Sequence, residues 1–77
     1  MTITVKYLAS IADELGKNEE TLPPQQHMTV ESVWEFLNPD KPMKPNTLCA
    51  INFNYASLTD AVDDGVELAF FPPVTGG

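Results

Sequence analysis

Apolar and polar residues alternate over residues 3–8. Ile3, Val5 and Tyr7 fall on one side of an extended chain, and Thr4, Lys6 and Leu8 on the other. That two-residue period predicts a strand. The next stretch, ASIADELG, reads as a short helix that buries Ile11, Ala12 and Leu15. Ser10 is the expected cap and Gly16 the left-handed stop. Residues 20–22 predict a brief second strand, halted by Pro23 and Pro24. A second helix follows. Val30, Val33, Trp34 and Leu37 form one apolar stripe, with Thr29 as N-cap and Met28 and Val33 at the two positions of a hydrophobic staple. Asn38-Pro39 ends it, because the residue before proline is pushed out of the helical region. Three prolines make residues 39–45 a stiff, irregular connection.

Two strands are expected next, over residues 48–52 and 55–57, joined by a turn at Asn52-Phe53-Asn54. Residues 58–62 predict a loop or a single helical turn, and Asp64-Gly65 a tight turn. The last strand covers residues 66–71. Val66, Leu68 and Phe70 lie on one face, and Glu67, Ala69 and Phe71 on the other. The order β, α, β, α, β, β, β predicts an α+β domain, a mixed sheet with a helix packed on one face. One apolar stripe covers one sheet face only. Leu8, Phe71 and one of Phe53 or Tyr55 are therefore expected on a bare face, which is an interface candidate. A small second core under a loop is the plainer alternative.

Composition narrows the classes. The 77 residues suffice for one domain with a small core, and 43% apolar content fits a globular chain. No apolar run approaches the length of a membrane span, and the first ten residues lack the pattern of a secretory signal. A single cysteine, Cys49, cannot form an internal disulfide, so a reducing, cytoplasmic setting is expected. Eleven acidic side chains stand against four lysines and no arginine, a formal charge of −7. Such a surface repels nucleic acid and anionic membrane and is steered toward a basic protein surface. Solubility is the simpler account of the same charge.

The end of the chain, AFFPPVTGG, carries the candidate chemistry. Pro72 and Pro73 stop the last strand and favour an extended course away from the body. Val74 and Thr75 also prefer extended backbone. Gly76 and Gly77 then present a carboxylate without flanking side chains, suited to a narrow channel in another protein. A carboxylate resists nucleophiles until it is activated. Adenylation by ATP would make it a mixed anhydride, which a sulfur nucleophile converts to a thiocarboxylate or an amine to an amide. Neither route needs a catalytic side chain on this chain. A frayed terminus is the structural alternative.

At these residues the chain resembles the sulfur-carrier small subunit family of molybdopterin synthase. DGVELAFFPPVTGG matches its C-terminal signature, while LCAINFNYAS and VKYLASIADELGKNEETL are similar to its central hairpin and first strand and helix. Residues 39–45 match no pattern of the family. Family members often carry arginine in the first helix, and an acidic residue usually follows the turn glycine, where this chain has Val66. The resemblance implies a ubiquitin-like β-grasp of about five strands over residues 1–77, with a flexible tail over residues 72–77. It implies that Gly77 is adenylated and thiocarboxylated, with Gly76 its spacer, and that Phe71, Pro72, Pro73, Val74 and Thr75 contact the partner, joined by Leu8 on the bare face. The implied partners are the large subunit, in a heterotetramer, an adenylating enzyme of ubiquitin-activating type using ATP and magnesium, and a sulfurtransferase. Sulfur would pass to a cyclic pyranopterin to build the dithiolene. On this reading the chain is a sulfur-donating subunit that binds no cofactor, and the catalytic site lies on the large subunit.

Other residues attract plainer readings. His27 has no companion at metal-ligand spacing, so no metal site is expected. Cys49 and Trp34 are expected in the core, and Asp63 and Asp64 as turn formers. Two rivals use the same carboxylate: a sulfur carrier for thiamine or another thiolation route, and a ubiquitin-like modifier joined to lysines through Gly77. A plain interaction domain would need no Gly77 at all.

Overall fold

The computed structural model describes residues 2–23 and 28–73. Five strands and two helices follow the expected order: β1 (Ile3–Tyr7), α1 (Ala9–Leu15), β2 (Glu19–Leu22), α2 (Val30–Leu37), β3 (Leu48–Ile51), β4 (Asn54–Ala56) and β5 (Glu67–Phe71). They build one sheet in the order β2-β1-β5-β3-β4. The last strand lies at its centre, parallel to β1 and antiparallel to β3. The two termini of the sheet are thus tied together, and neither half can complete the core alone.

Alternation sorts the side chains as the sequence pattern requires. Ile3, Val5 and Tyr7 of β1 and Leu68 and Phe70 of β5 are buried on one face, against Val30, Val33 and Trp34 of α2. The Tyr7 and Phe70 rings stack with centroids 6.1 Å apart, and Trp34 meets both edge-on at 5.9 and 4.9 Å. Such pairs contribute about 0.5–1.5 kcal/mol each beyond area burial. Trp34 and Cys49 are core residues, as expected. The Trp34 Nε1–H donates to the Lys41 carbonyl at 2.7 Å, and the Cys49 thiol donates to the Ala56 carbonyl at 3.1 Å. Burial, followed by the nearby Asp60 charge, raises the Cys49 thiol pKa.

Helix α2 is closed at its start by two reciprocal bonds. The Ser32 N–H donates to Thr29 Oγ1 at 3.2 Å, and the Thr29 N–H donates to Ser32 Oγ at 2.8 Å. Thr29 was the expected cap. The returning partner is Ser32, where a glutamate or glutamine is the usual signal. Helix α1 differs from expectation. Ser10 lies inside it and caps nothing; Leu8 holds the N-cap position without a side-chain bond. The reason is the sheet: the Leu8 N–H still donates to the Phe70 carbonyl at 3.0 Å, so pairing runs one residue past β1. The helix must start at once, through Ala9 with φ 52°. Gly16, with φ 72°, ends it as expected.

Two predictions test this packing. Thr29→Ala removes one acceptor and should cost about 1 kcal/mol, a fall in Tm of about 4–8 °C by thermal melt. The second concerns Tyr7, whose hydroxyl donates to Glu20 Oε2 at 2.6 Å and accepts from Asn38 Nδ2 at 3.1 Å. Burial, then the Glu20 bond, raise its pKa well above the ordinary tyrosine value, with Asn38 pulling the other way. The folded state thus holds its proton where the unfolded chain releases it. Stability from this group is fully present below about pH 10 and lost as pH rises further. Urea midpoints should fall above pH 10 for the wild type and fall less for Tyr7→Phe.

Candidate docking face and tail exit

The sheet face opposite α2 is uncovered among the described residues. Lys6, Ala69, Ala50 and Tyr55 form one row across β1, β5, β3 and β4 by strand register. The alanines are short, so they make a floor. Leu8 and Phe71 rise at one end and Phe53 and Glu67 at the other, with Tyr55 and Lys6 at the two sides of the floor, enclosing a groove of about 420 Å³. Phe53 is 87% exposed, Tyr55 79% and Leu8 45%. The Tyr55 and Phe71 rings pack at 5.9 Å with a tilt of 52°. No loop of the described residues closes over them, so among these residues the face is open and no second small core covers it. The sequence pattern placed Leu8 and Phe71 here. It allowed one of Phe53 and Tyr55, whereas the structure exposes both.

Strand β5 delivers the tail to one end of this face. It stops at Phe71, and Pro72 and Pro73 leave the sheet half-buried and exposed in turn. They border a cleft of about 310 Å³ shared with Ser10, Glu14, Lys44 and Thr47. The loop over residues 39–45, whose role the sequence did not show, straps this region. Lys41 Nζ donates to the Glu14 carbonyl at 2.7 Å, and Lys44 pairs with the Glu14 carboxylate. These contacts span about thirty residues of chain and carry no local sequence signal. Val74, Thr75, Gly76 and Gly77 lie outside the described residues, as does His27.

The electrostatics are one-sided. Lys6 pairs with Glu67 at 3.2 Å and Glu19 at 3.9 Å, and Lys17 with Glu20 at 2.6 Å. With Lys41 and Lys44 held as above, every lysine is engaged internally. Asp13, Glu31, Glu35, Asp40, Asp63 and Asp64 have no ion-pair partner among the described residues. Asp63 and Asp64 precede Gly65, whose φ of 82° makes the expected turn. Among the described residues, no group of three or more histidine, cysteine or acidic residues could hold a metal ion, and no helix is long and apolar enough to cross a membrane.

A mixed five-stranded sheet, its last strand central and one helix across one face, defines a ubiquitin-like β-grasp domain. The family model described as "ThiS family" matches residues 5–77, and the chain belongs to that family. It is 41% identical over 54 residues to the molybdopterin synthase sulfur carrier subunit of Escherichia coli, covering 69% of this chain and 62% of that protein. It is 56% identical over 34 residues to the protein of the same name from Haemophilus influenzae, covering 44% and 42%. The matches thus span less than two thirds of these relatives' length. Among solved structures, SAMP1 from Haloferax volcanii superposes with a TM-score of 0.78 at 25% identity, covering all of both chains. A putative molybdopterin converting factor subunit 1 from Pyrococcus furiosus gives 0.77 at 22% identity over 96% of this chain and 99% of that one, a likeness of fold.

The register makes adjacent phenylalanines unequal. Phe70→Ala should cost about 3–5 kcal/mol, enough to unfold much of so small a domain. Phe71→Ala should cost less, about 1–2 kcal/mol, since a half-buried ring loses part of its own burial together with the Tyr55 pairing. Urea denaturation of both variants checks the assignment of faces.

Proposed function

We propose that this chain is the sulfur-carrying small subunit of a molybdopterin synthase. The observation that carries the proposal is the placement of β5. A central strand, fixed on both sides, hands the Pro72-Pro73 segment outward at the margin of an open apolar face. Family membership and the two curated relatives support the same reading.

In this proposal the Gly77 α-carboxylate attacks the α-phosphorus of ATP on an adenylating enzyme of ubiquitin-activating type, and pyrophosphate leaves. Magnesium belongs to that enzyme. The outer sulfur of a persulfide on a sulfurtransferase attacks the acyl carbon and AMP leaves; a second thiol then attacks the acyl disulfide at the enzyme's sulfur, releasing the thiocarboxylate and leaving a disulfide behind. Gly76 gives the tail a narrow profile, and Val74 and Thr75 continue it into the partner's channel. Leu8, Phe71, Pro72 and Pro73 seat the body against the large subunit, whose site passes sulfur to the cyclic pyranopterin precursor. Two large subunits in a heterotetramer, a cytoplasmic setting and a carrier without bound cofactor complete the proposal. The acidic surface favours a basic partner and raises encounter rates at low salt.

A second reading is favoured by one observation, the full-length superposition on SAMP1, a small archaeal modifier protein. Conjugation would join Gly77 to lysines of other proteins. A sulfur carrier for thiamine or another thiolation route differs from the main proposal only in the acceptor.

Intact mass after incubation with the adenylating enzyme, Mg-ATP and a sulfur donor tests these readings. The expected change is one oxygen replaced by one sulfur, absent from a chain lacking Gly77. Sulfur transfer to the pterin precursor on adding the large subunit separates the pathways. A ladder of isopeptide-linked products without thiocarboxylate would favour the modifier, and an unchanged mass with a competent enzyme would overturn the carrier.

A further inference from the structure

We infer that Phe53 is a specificity-determining anchor, a second attachment point that seats an apolar ridge of the tail-accepting partner at the end of the groove remote from the tail. The inference rests on the carrier reading above and extends it to a residue outside the tail. Three observations meet at Phe53. It is the most exposed large apolar side chain among the described residues, at 87%. It holds φ 70°, a left-handed conformation that a bulky side chain rarely adopts. It also lines the groove with Tyr55, Glu67 and Phe71.

The turn explains how Phe53 is held there. Ile51 pairs with Asn54, leaving a two-residue connection. Asn52 and Phe53 both have positive φ, at 49° and 70°, as the twist of a tight hairpin demands. Asn52 suits this; glycine, not phenylalanine, suits the second position. The turn is fixed from β5: the Asn52 N–H donates to the Glu67 carbonyl at 2.8 Å, and the Glu67 N–H donates to Asn52 Oδ1 at 2.9 Å. Strain retained under an exposed aromatic ring does nothing for the fold, and such outliers concentrate at functional positions.

Position and charge identify the occupant. Phe71 and Glu67 are four residues apart on β5, about 13 Å at a strand's rise. The Phe53 end is thus well separated from the tail exit. Between them the Ala50 and Ala69 floor is concave and receives a protruding apolar group. Asp63 and Asp64, unpaired among the described residues, lead through Gly65 into β5 at the same end. The partner's ridge is accordingly apolar with basic flanks. A second copy of this chain brings the same negative surface and is repelled. Affinity drawn from Phe53 leaves the tail free to react and withdraw.

The probe is the large subunit of Escherichia coli molybdopterin synthase, with Kd measured by calorimetry and Tm by thermal melt. Phe53→Gly should raise Tm by several degrees, because the strain is relieved, and weaken binding about tenfold or more. Phe53→Asn, which tolerates the left-handed backbone, should weaken binding similarly, whereas Phe53→Tyr should stay within about threefold of wild type. Unchanged affinity in Phe53→Gly overturns the anchor and leaves the carrier reading intact. A lowered Tm in Phe53→Gly also overturns it, since the ring would then serve the fold. A wild-type chain that does not bind the large subunit, or that dimerises through this face, defeats the carrier docking and the anchor with it.

Discussion

Everything in this domain leans on the pairing of its first and last strands. β1 and β5 are separated by almost the whole chain, yet they lie side by side and parallel, with Tyr7 beside Phe70 in the register. Closing so long a loop costs entropy, which the burial behind it must offset. The offset is concentrated in three rings. Tyr7, Phe70 and Trp34 bring together both strands and α2, and Tyr7 adds a polar tie. Its hydroxyl links Glu20 of β2 to Asn38 at the end of α2, while Lys17 pairs with that same Glu20 and sits 5.5 Å from the Tyr7 ring centroid. A buried hydroxyl with both a donor and an acceptor partner costs little and fixes position.

That constraint also creates the other face. Once Tyr7 and Phe70 turn inward, alternation forces Lys6, Leu8, Ala69 and Phe71 outward. The second helix is spent on the core side, and α1 is too short to cover more. What remains is an apolar surface with the Pro72-Pro73 exit at one end and the Asn52-Phe53 turn at the other. Core and docking face are therefore two sides of one register. A one-residue slip would exchange them.

Much of this was legible in the sequence, because each element carried its own period and punctuation. The strand-helix order, the Thr29 cap, Gly16, the Asp64-Gly65 turn and the exposed side of β5 all follow from local pattern. What the local pattern does not carry is non-local. Ser10 is a good cap by residue type, but the β1–β5 ladder runs on to Leu8 and leaves no room for it. The pattern places Phe53 in the Asn52-Phe53-Asn54 turn and only one of Phe53 and Tyr55 on the bare face, whereas the two-residue turn closed by the Ile51–Asn54 pair leaves both rings exposed. The strap from Lys41 and Lys44 to Glu14 joins segments that no spacing rule connects.

The lysines show why charge balance alone understates this surface. Electrostatics alone would put four cations among eleven acids wherever repulsion is worst. They are instead spent on structure: Lys6 between two strand glutamates, Lys17 at the Tyr7 network, Lys41 and Lys44 on the strap. Exposed pairs like these add little stability individually, typically below about 1 kcal/mol. Their larger effect is to set Lys6, Lys17 and Lys44 directly beside carboxylates, so that the field a visitor meets stays negative. An incoming protein therefore encounters unpaired carboxylates and an apolar groove, and basic flanks around an apolar ridge are the complement of both.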